Sequence, residues 1–483
     1  MTRRELLAAL GASALSRRLG VAAPQSRTSD DLVWLDVATI AARMRARTLS
    51  VVELTESYLG RIEQLNPSLT AYVTVTANRA RADARRVDDS LRARRTIGPL
   101  AGVPIAHKDL FETSGIRTTA GSRLFAQHVP DRDATLVAKF VTAGTILLGK
   151  CNTHELGGGV TTINPFFGTT RNPWNRSRVV GGSSGGSAAA VVAGLAAAAT
   201  GSDTGGSVRI PAAFCGCVGF KPTFGRLSTA GLLGSAPTFD HAGLLARTVA
   251  DVMSIYGETV GYDVRDPATL PAPNPPKSTP PTGRLRVGVA RNYFFDQLQP
   301  DVATAVEAAI DVFRAVNADV RDIAFPIDGE TMARVFDPII VAEIHQRFAG
   351  EWRERPEAFS QSFAGFFRAP VPSGLEVVAA HRALSAFQSA VRRVFDSVDV
   401  VVTPTVAMTA PPIEGPIDGA LILRNTWPFN AARTPALSLP CGFDSEAMPI
   451  GLQLAAAPYD EFTLFRAAET WQRLTTWHRQ RPK

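Results

Sequence analysis

The sequence contains little cysteine and no spacing typical of metal ligands. Four of its 483 residues are Cys, which is too few for a disulfide scaffold in a chain of this length. Cys215 and Cys217 are separated by one residue, so they do not form a CxxC pair, and Cys151 and Cys441 are isolated. No set of His and Cys residues has zinc-ligand spacing. We therefore expect buried thiols and no metal site, and pairing of the thiols is an open question at this point.

Long apolar runs and clusters of one charge are also missing. No apolar stretch reaches the ~20 residues needed to span a bilayer, and the apolar segment 188–199 predicts a buried core helix instead. The net charge of +7 comes from 51 basic and 44 acidic residues, and the basic residues are scattered. A nucleic-acid-binding face would need a basic stripe with aromatic residues between the charges. The sequence thus predicts a globular protein without a stable membrane span or a nucleic-acid partner.

The N-terminal residues resemble an export signal. A twin arginine at 3–4 is followed by a short apolar run to Leu15, and small residues at 21–23 offer a cleavage site. These features predict that residues 1–25 form a twin-arginine signal that directs the protein to the periplasm. Arginines at 17–18 interrupt the apolar region, so a cytoplasmic protein with an amphipathic N-terminal helix is the alternative.

Strand and helix patterns alternate along the rest of the chain, which predicts an α/β fold. Helix patterns cover 50–66, 77–95, 133–143, 301–316, 328–348, 374–396 and 460–475, and strand patterns cover 103–109, 145–149, 285–289, 398–403, 436–439 and 450–454. We expect residues 30–483 to form a single large domain, with a central mixed β-sheet covered by helices on both faces. A proline-rich stretch at 266–283 predicts a linker or insertion, and a domain boundary there is the alternative.

Residues 181–211, GGSSGGSAAAVVAGLAAAATGSDTGGSVRIP, set Ser183 and Ser207 within glycine-rich loops. We expect an alanine-rich helix over 188–199 between them, with Ser187 as its N-cap and Gly201 as its C-terminal stop. Glycine lets backbone N–H groups approach a ligand closely. A hydroxyl in such a loop is well placed for nucleophilic attack, with donors nearby for an oxyanion. The segment predicts a serine-dependent acyl-transfer enzyme.

The GGSSG part of this segment also matches G-x-S-x-G, the nucleophile elbow of α/β-hydrolases, with Ser183 as its central serine. That elbow follows a strand and needs a later Asp and His. Residues 175–180 are a poor strand, and no histidine stands out downstream. We therefore reject the elbow interpretation.

The same segment, together with AGVPIAHKDL at 101–110, FGTTRNPWN at 167–175 and PALSLPCGF at 435–443, resembles the amidase signature family. The resemblance covers nearly everything after residue 30 and is weakest from 260 to 395. It implies that Ser207 is the nucleophile, that Ser183 is a bridging serine on a cis peptide, and that Lys108 is the general base. It implies no cofactor. A lysine accepts a proton only when it is neutral, so Lys108 must be desolvated.

The resemblance also implies the surroundings of this triad. Backbone N–H groups of Thr204, Gly205 and Gly206, together with that of Ser207, would form an oxyanion hole. Gly157 lies where the family often lines its acyl pocket, although a plain loop is the alternative. We also expect Ser184, Asp203 and Arg209 beside the triad. Asp203 and Arg209 would form a structural ion pair.

These observations predict an amidase that converts a small-molecule carboxamide into an acid and an amine through a serine acyl-enzyme. The alternatives are a glutamine-hydrolysing amidotransferase A-type subunit for tRNA-dependent amidation and a non-catalytic binding protein on the same scaffold. Phe166, Phe167 and the segment 363–369 are candidates for an acyl pocket, or simply for the core. A homodimer is a further, open expectation.

Overall fold

The computed structural model describes residues 29–271 and 283–483. Its eleven strands are β1 (Tyr72–Val75), β2 (Pro104–Lys108), β3 (Ile146–Cys151), β4 (Ala198–Asp203), β5 (Val218–Lys221), β6 (His241–Ala246), β7 (Arg286–Ala290), β8 (Asp319–Ile323), β9 (Val400–Pro404), β10 (Ala436–Phe443) and β11 (Pro449–Ala456). All belong to one sheet in the order β1-β3-β2-β4-β6-β5-β10-β11-β9-β7-β8.

The α-helices include several that lie between these strands in the sequence. They are α1 (Ser29–Leu32), α2 (Val37–Arg45), α3 (Val51–Leu69), α4 (Ala77–Arg92), α5 (Thr135–Thr142), α6 (Gly185–Val192), α7 (Arg209–Cys215), α8 (Val249–Thr259), α9 (Pro300–Ala315), α10 (Thr331–Val335), α11 (Asp337–Glu354), α12 (Gln361–Arg368), α13 (Gly374–Val394), α14 (Gly419–Leu423), α15 (Trp427–Ala431) and α16 (Glu461–Leu474).

The sheet is mixed and its central strands are covered on both faces. β2 pairs in parallel with β3 and β4, whereas β4 and β6 are antiparallel, as are β10 and β11. Every residue of β2, β3, β4 and β6 is buried, and full burial of consecutive residues requires helices on both sides. β5, from the first half of the chain, pairs directly with β10 near its end. The prediction of a single α/β domain around a mixed sheet is confirmed.

The prediction of an alanine-rich helix over 188–199 is wrong for much of that range. The helix begins earlier, at Gly185, and ends at Val192, while residues from Ala198 onward form β4. Ser187 lies inside the helix, and its hydroxyl donates to the carbonyl of Thr200 at 2.8 Å rather than capping the N-terminus. Gly201 is a strand residue with no room for a side chain, since a Cβ there would lie 2.7 Å from Val208. Tertiary burial overrides the helical propensity of alanine here.

Other predictions concern particular segments. The helix predicted to end before Pro67 continues through it to Leu69. The predicted export signal at 1–25 lies outside the described residues, as do residues 272–282 of the predicted linker. Among the described residues, no helix is long and apolar enough to cross a membrane. All four cysteines are buried, as expected, and none of them forms a disulfide.

Candidate active site

Lys108 is the last residue of β2, and its side chain is completely buried. Its Nζ lies 2.6 Å from Ser183 Oγ and 2.9 Å from Ser202 Oγ. Burial lowers the pKa of Lys108 to about 7, against the opposing influence of the Asp203 and Asp240 carboxylates. An amine with this pKa is neutral in a large fraction of molecules at neutral pH, so it can accept a proton.

Ser183 follows a cis peptide bond from Gly182, as the resemblance implies. Its carbonyl accepts hydrogen bonds from the His154 N–H at 3.1 Å and from Thr153 Oγ1 at 2.9 Å. A Cβ on Gly182 would lie 2.6 Å from the Thr161 backbone nitrogen. Glycine at 182 therefore permits the close packing that holds Ser183 against Lys108.

Ser207 lies in the short loop between β4 and α7 and is 5% exposed. Its carbonyl accepts a hydrogen bond from the Ser184 N–H at 3.0 Å, so the two serine loops are directly joined. Gly206 has φ of 144°, a conformation that L side chains rarely adopt. A second contact fixes the loop from the C-terminal half, because Thr426 Oγ1 donates to the Gly205 carbonyl at 2.6 Å.

A cavity of about 240 Å³ opens beside this loop. Four of the predicted residues line it, namely Gly157, Thr204, Gly205 and Ser207. Lys108 and Ser183 are not among the lining residues, but Ser202, which bonds to the lysine, is one of them. The structure thus brings the predicted nucleophile to the cavity wall and places the predicted base behind that wall.

The comparisons with known proteins agree with this geometry. A family model described as Amidase matches residues 53–465. The chain belongs to the amidase family. It is 38% identical to the A-type subunit of the glutamyl-tRNA(Gln) amidotransferase of Chloroflexus aurantiacus, over 94% of this chain and 99% of that protein.

Two solved structures of this amidase family have the same fold. One is a 6-aminohexanoate cyclic dimer hydrolase complexed with substrate, with 32% identity, a TM-score of 0.84 and coverage of 93% of this chain and 99% of the other. The second is the A-type subunit of the glutamyl-tRNA(Gln) amidotransferase of Thermotoga maritima, with 29% identity, a TM-score of 0.72 and coverage of 92% and 94%. This amidase is an enzyme that acts on amide C–N bonds.

Asp203 and Arg209 form a fully buried ion pair in this amidase, with Arg209 Nη2 2.8 Å from Asp203 Oδ1. Burial alone would raise the pKa of Asp203, but the Arg209 guanidinium outweighs it and holds that pKa below its ordinary value. Arg209 also donates to the Thr426 carbonyl and to Gln453 Oε1, each at 2.8 Å. Asp203 Oδ2 accepts from the Val208 N–H at 3.1 Å. The pair fastens the Ser207 loop to the C-terminal strands.

Ser184 has a related role in the amidase site. Its hydroxyl lies 3.1 Å from the Ser202 carbonyl and 3.3 Å from the Ser202 backbone nitrogen. These bonds tie the beginning of α6 to β4, so Ser184 supports both serine loops without contacting Lys108.

Sequence reasoning missed several residues of the site. Ser202 contacts Lys108 Nζ directly, and Asp240 accepts a hydrogen bond from Thr204 Oγ1 at 2.5 Å. Ser202 lies two residues after Thr200 on β4. Alternate residues of a strand lie on the same face, so recognising β4 as a strand would have placed both side chains on one face. For Asp240 no comparable signal exists.

The aromatic residues predicted as candidates for an acyl pocket do not all line the cavity. Phe166 and Phe167 are not among the described residues that line the cavity, and Phe166 instead packs against the Arg123 guanidinium at 4.7 Å. Phe366, from the predicted segment 363–369, does line it. No group of three or more His, Cys, Asp or Glu side chains suited to a metal ion occurs within 29–271 and 283–483.

Proposed function

We propose that this enzyme hydrolyses a carboxamide through a covalent acyl-enzyme on Ser207. Ser207 Oγ attacks the amide carbonyl and passes its proton to Ser183, which passes its own to neutral Lys108. The protonated lysine then returns a proton along the same path to the departing nitrogen, and the C–N bond breaks. Water hydrolyses the ester by the same relay, which releases the acid and restores Ser207.

The contact that carries this proposal is the 2.6 Å hydrogen bond between the buried Lys108 amine and Ser183. In water a lysine has a pKa of about 10.4 and is a cation at neutral pH. Burial lowers the pKa of Lys108 to about 7, within the range in which a general base is effective.

We also propose that backbone N–H groups of residues 204–207 stabilise the oxyanion. These residues line the cavity beside Ser207 or lie next to those that do. Within the described part of the chain, none of these four N–H groups donates a hydrogen bond to a backbone or side-chain acceptor. Donors without an internal partner at a cavity wall are suited to a developing negative charge.

A serine-reactive probe and one variant test the proposal. Ser207→Ala should abolish amide hydrolysis and labelling by a fluorophosphonate. Ser228→Ala removes a buried hydroxyl that binds Asp263 instead, and it should still be labelled. Full turnover by the Ser207 variant would contradict the proposed nucleophile, and labelling absent from both wild type and variants would support the binding-protein alternative.

A second candidate function is hydrolysis of glutamine as an A-type subunit of a tRNA-dependent amidotransferase. The 38% identity to a protein of that name over 94% of the chain favours it over a free-standing amidase. Glutaminase activity of the purified chain, and its increase on adding the other amidotransferase subunits, would support this function.

A homodimer stays a prediction that the sedimentation of the purified chain would test.

The two functions also differ in cellular location. A reaction on tRNA favours the cytoplasmic alternative, whereas the twin arginine at 3–4 favours export. Determining the N-terminus of the mature protein distinguishes them, because an export signal would be removed near residues 21–23.

A further inference from the structure

One apolar wall of the cavity is built largely from the part of the chain where the family resemblance is weakest. Phe336, Ile340 and Ile344 lie along the junction of α10 and α11 and the first half of α11, and Phe366 comes from α12. Leu156 and Leu423 extend the same apolar surface toward the catalytic loops. A group bound against this wall exchanges water for hydrocarbon, which favours an apolar acyl chain.

The charges around the cavity have one sign. Asp240, which is 7% exposed, and Asp337 line it. No Lys or Arg is present among the described residues of its lining. Arg347 acts electrostatically on Asp240, but its guanidinium lies 5.3 Å from the Phe348 ring and outside the lining. A substrate carboxylate would therefore lose water beside the buried carboxylate of Asp240 and near the exposed one of Asp337, with no cation in the described lining to pair with it.

From these two features we propose that the acyl site takes amides of uncharged, predominantly apolar carboxylic acids and excludes amides whose acyl group carries a net negative charge. Phe336, Ile340 and Phe366 determine this preference by contact, and Asp337 enforces the exclusion of anions. The inference rests on the proposed acyl-enzyme function of the same site.

A matched pair of primary amides tests the charge preference. Hexanamide and the monoamide of adipic acid present chains of similar length that end in a methyl group and in a carboxylate. With the purified full chain, we expect kcat/KM for hexanamide to exceed that for the adipic monoamide by at least about 100-fold. Equal or faster hydrolysis of the adipic monoamide would overturn the proposed preference.

Two pairs of variants test which residues determine the substrate preference. Ile340→Ala should lower the ratio of kcat/KM for hexanamide over acetamide by about tenfold, because acetamide is too short to reach the wall. Its neighbour Ile339 is fully buried in the core and is not among the lining residues, so Ile339→Ala should lower stability but leave this ratio unchanged. An unchanged ratio in the Ile340 variant would contradict the contact.

The second pair concerns charge. Asp337→Asn should raise kcat/KM for the adipic monoamide relative to hexanamide, whereas Glu354→Gln, at the far end of α11, should not. No relative increase in the Asp337 variant would overturn the role of that carboxylate. The Ser207→Ala variant distinguishes failure of the proposed acyl-enzyme function from failure of the proposed substrate class. If it is inactive toward all amides while wild type prefers the adipic monoamide to hexanamide, the acyl-enzyme function stands and the substrate class is wrong.

Discussion

At the scale of single residues, Lys108 gains its reactivity from what surrounds it. The amine is fully buried and bonds to two hydroxyl groups, those of Ser183 and Ser202. A buried ammonium is unfavourable, and the neighbouring carboxylates of Asp203 and Asp240 only partly offset this. The same burial that costs folding free energy makes this amine suited to the proposed role of general base.

The pH dependence follows from the pKa of Lys108, which burial lowers to about 7. Below that value the lysine is protonated and cannot accept the proton of Ser183, so kcat/KM should fall as the pH decreases through about 7. At higher pH the amine is neutral and the rate should reach a plateau. A profile of kcat/KM against pH with a neutral amide measures this, and a constant rate from about pH 5 to 9 would exclude a lysine base.

Ser202 should influence the same profile. Its Oγ accepts a hydrogen bond from the Lys108 amine, and this bond favours the protonated form. Ser202→Ala should lower kcat by about fivefold, the equivalent of one neutral hydrogen bond, and should move the acid limb of the profile to lower pH.

The matched control for Ser202 is Ser187→Ala. Ser187 is equally buried and donates to the Thr200 carbonyl of the same strand, without a bond to Lys108. It should affect stability but leave the midpoint of the pH profile in place. Equal shifts in both variants would indicate a general loosening of β4 rather than a contact with the base.

At the scale of elements, the loop between β4 and α7 carries the proposed nucleophile, and this loop depends on one ion pair. Asp203 ends β4, Arg209 begins α7, and both side chains are fully buried. Three hydrogen bonds from Arg209 reach the C-terminal half, at Thr426, Asn430 and Gln453. The loop is therefore held by residues from both halves of the chain.

Removing the charge of Asp203 should be costly, because a buried guanidinium loses its partner. Asp203→Asn should lower the free energy of unfolding by about 3–5 kcal/mol and lower kcat as the Ser207 loop loses its anchor. Denaturant unfolding and steady-state kinetics measure the two effects. Asp311→Asn, which removes the exposed pair with Arg314, should cost less than about 1 kcal/mol. Similar losses in both variants would contradict the anchoring role.

The alanine-rich segment illustrates why elements can be misassigned. Residues 188–199 are apolar throughout, so their pattern has neither the period of a helix nor that of a strand. Alanine favours a helix, but Ala198 and Ala199 pair with β2 on one side and β6 on the other. Small residues suit a strand enclosed between helices. The residues of β6 that pair with Ala198 and Ala199 lie nearly 50 residues further along the chain. Such long-range pairing cannot be read from local sequence.

At the scale of the whole molecule, the fold class and the contact between Lys108 and Ser183 could be predicted, but the lining of the cavity could not. Lys108, Ser183 and Ser207 lie in distinctive motifs, and alternation of helix and strand patterns indicated the mixed sheet. Phe336 and Ile340, by contrast, have the same apolar spacing as core residues of any helix. Which apolar face meets a cavity is decided by how α11 packs on distant loops, and no local pattern records it.

The distribution of cysteine gives a prediction for the entire fold. All four thiols are buried, and burial raises the pKa of each, to about 12 for Cys217. The native protein should therefore react with essentially no thiol reagent at neutral pH, and four thiols should react after denaturation. Titration with a chromogenic disulfide measures both states. Rapid reaction of any thiol in the native protein would show that the sheet opens locally.

The position of β10 and β11 has a consequence for synthesis. The proposed catalytic residues are all translated by residue 207, yet the strands that complete the centre of the sheet and the groups that bind Arg209 follow residue 425. On the ribosome, the Arg209 guanidinium therefore lacks three of its partners until the C-terminal segment has emerged. The Ser207 loop should accordingly become anchored only late in synthesis.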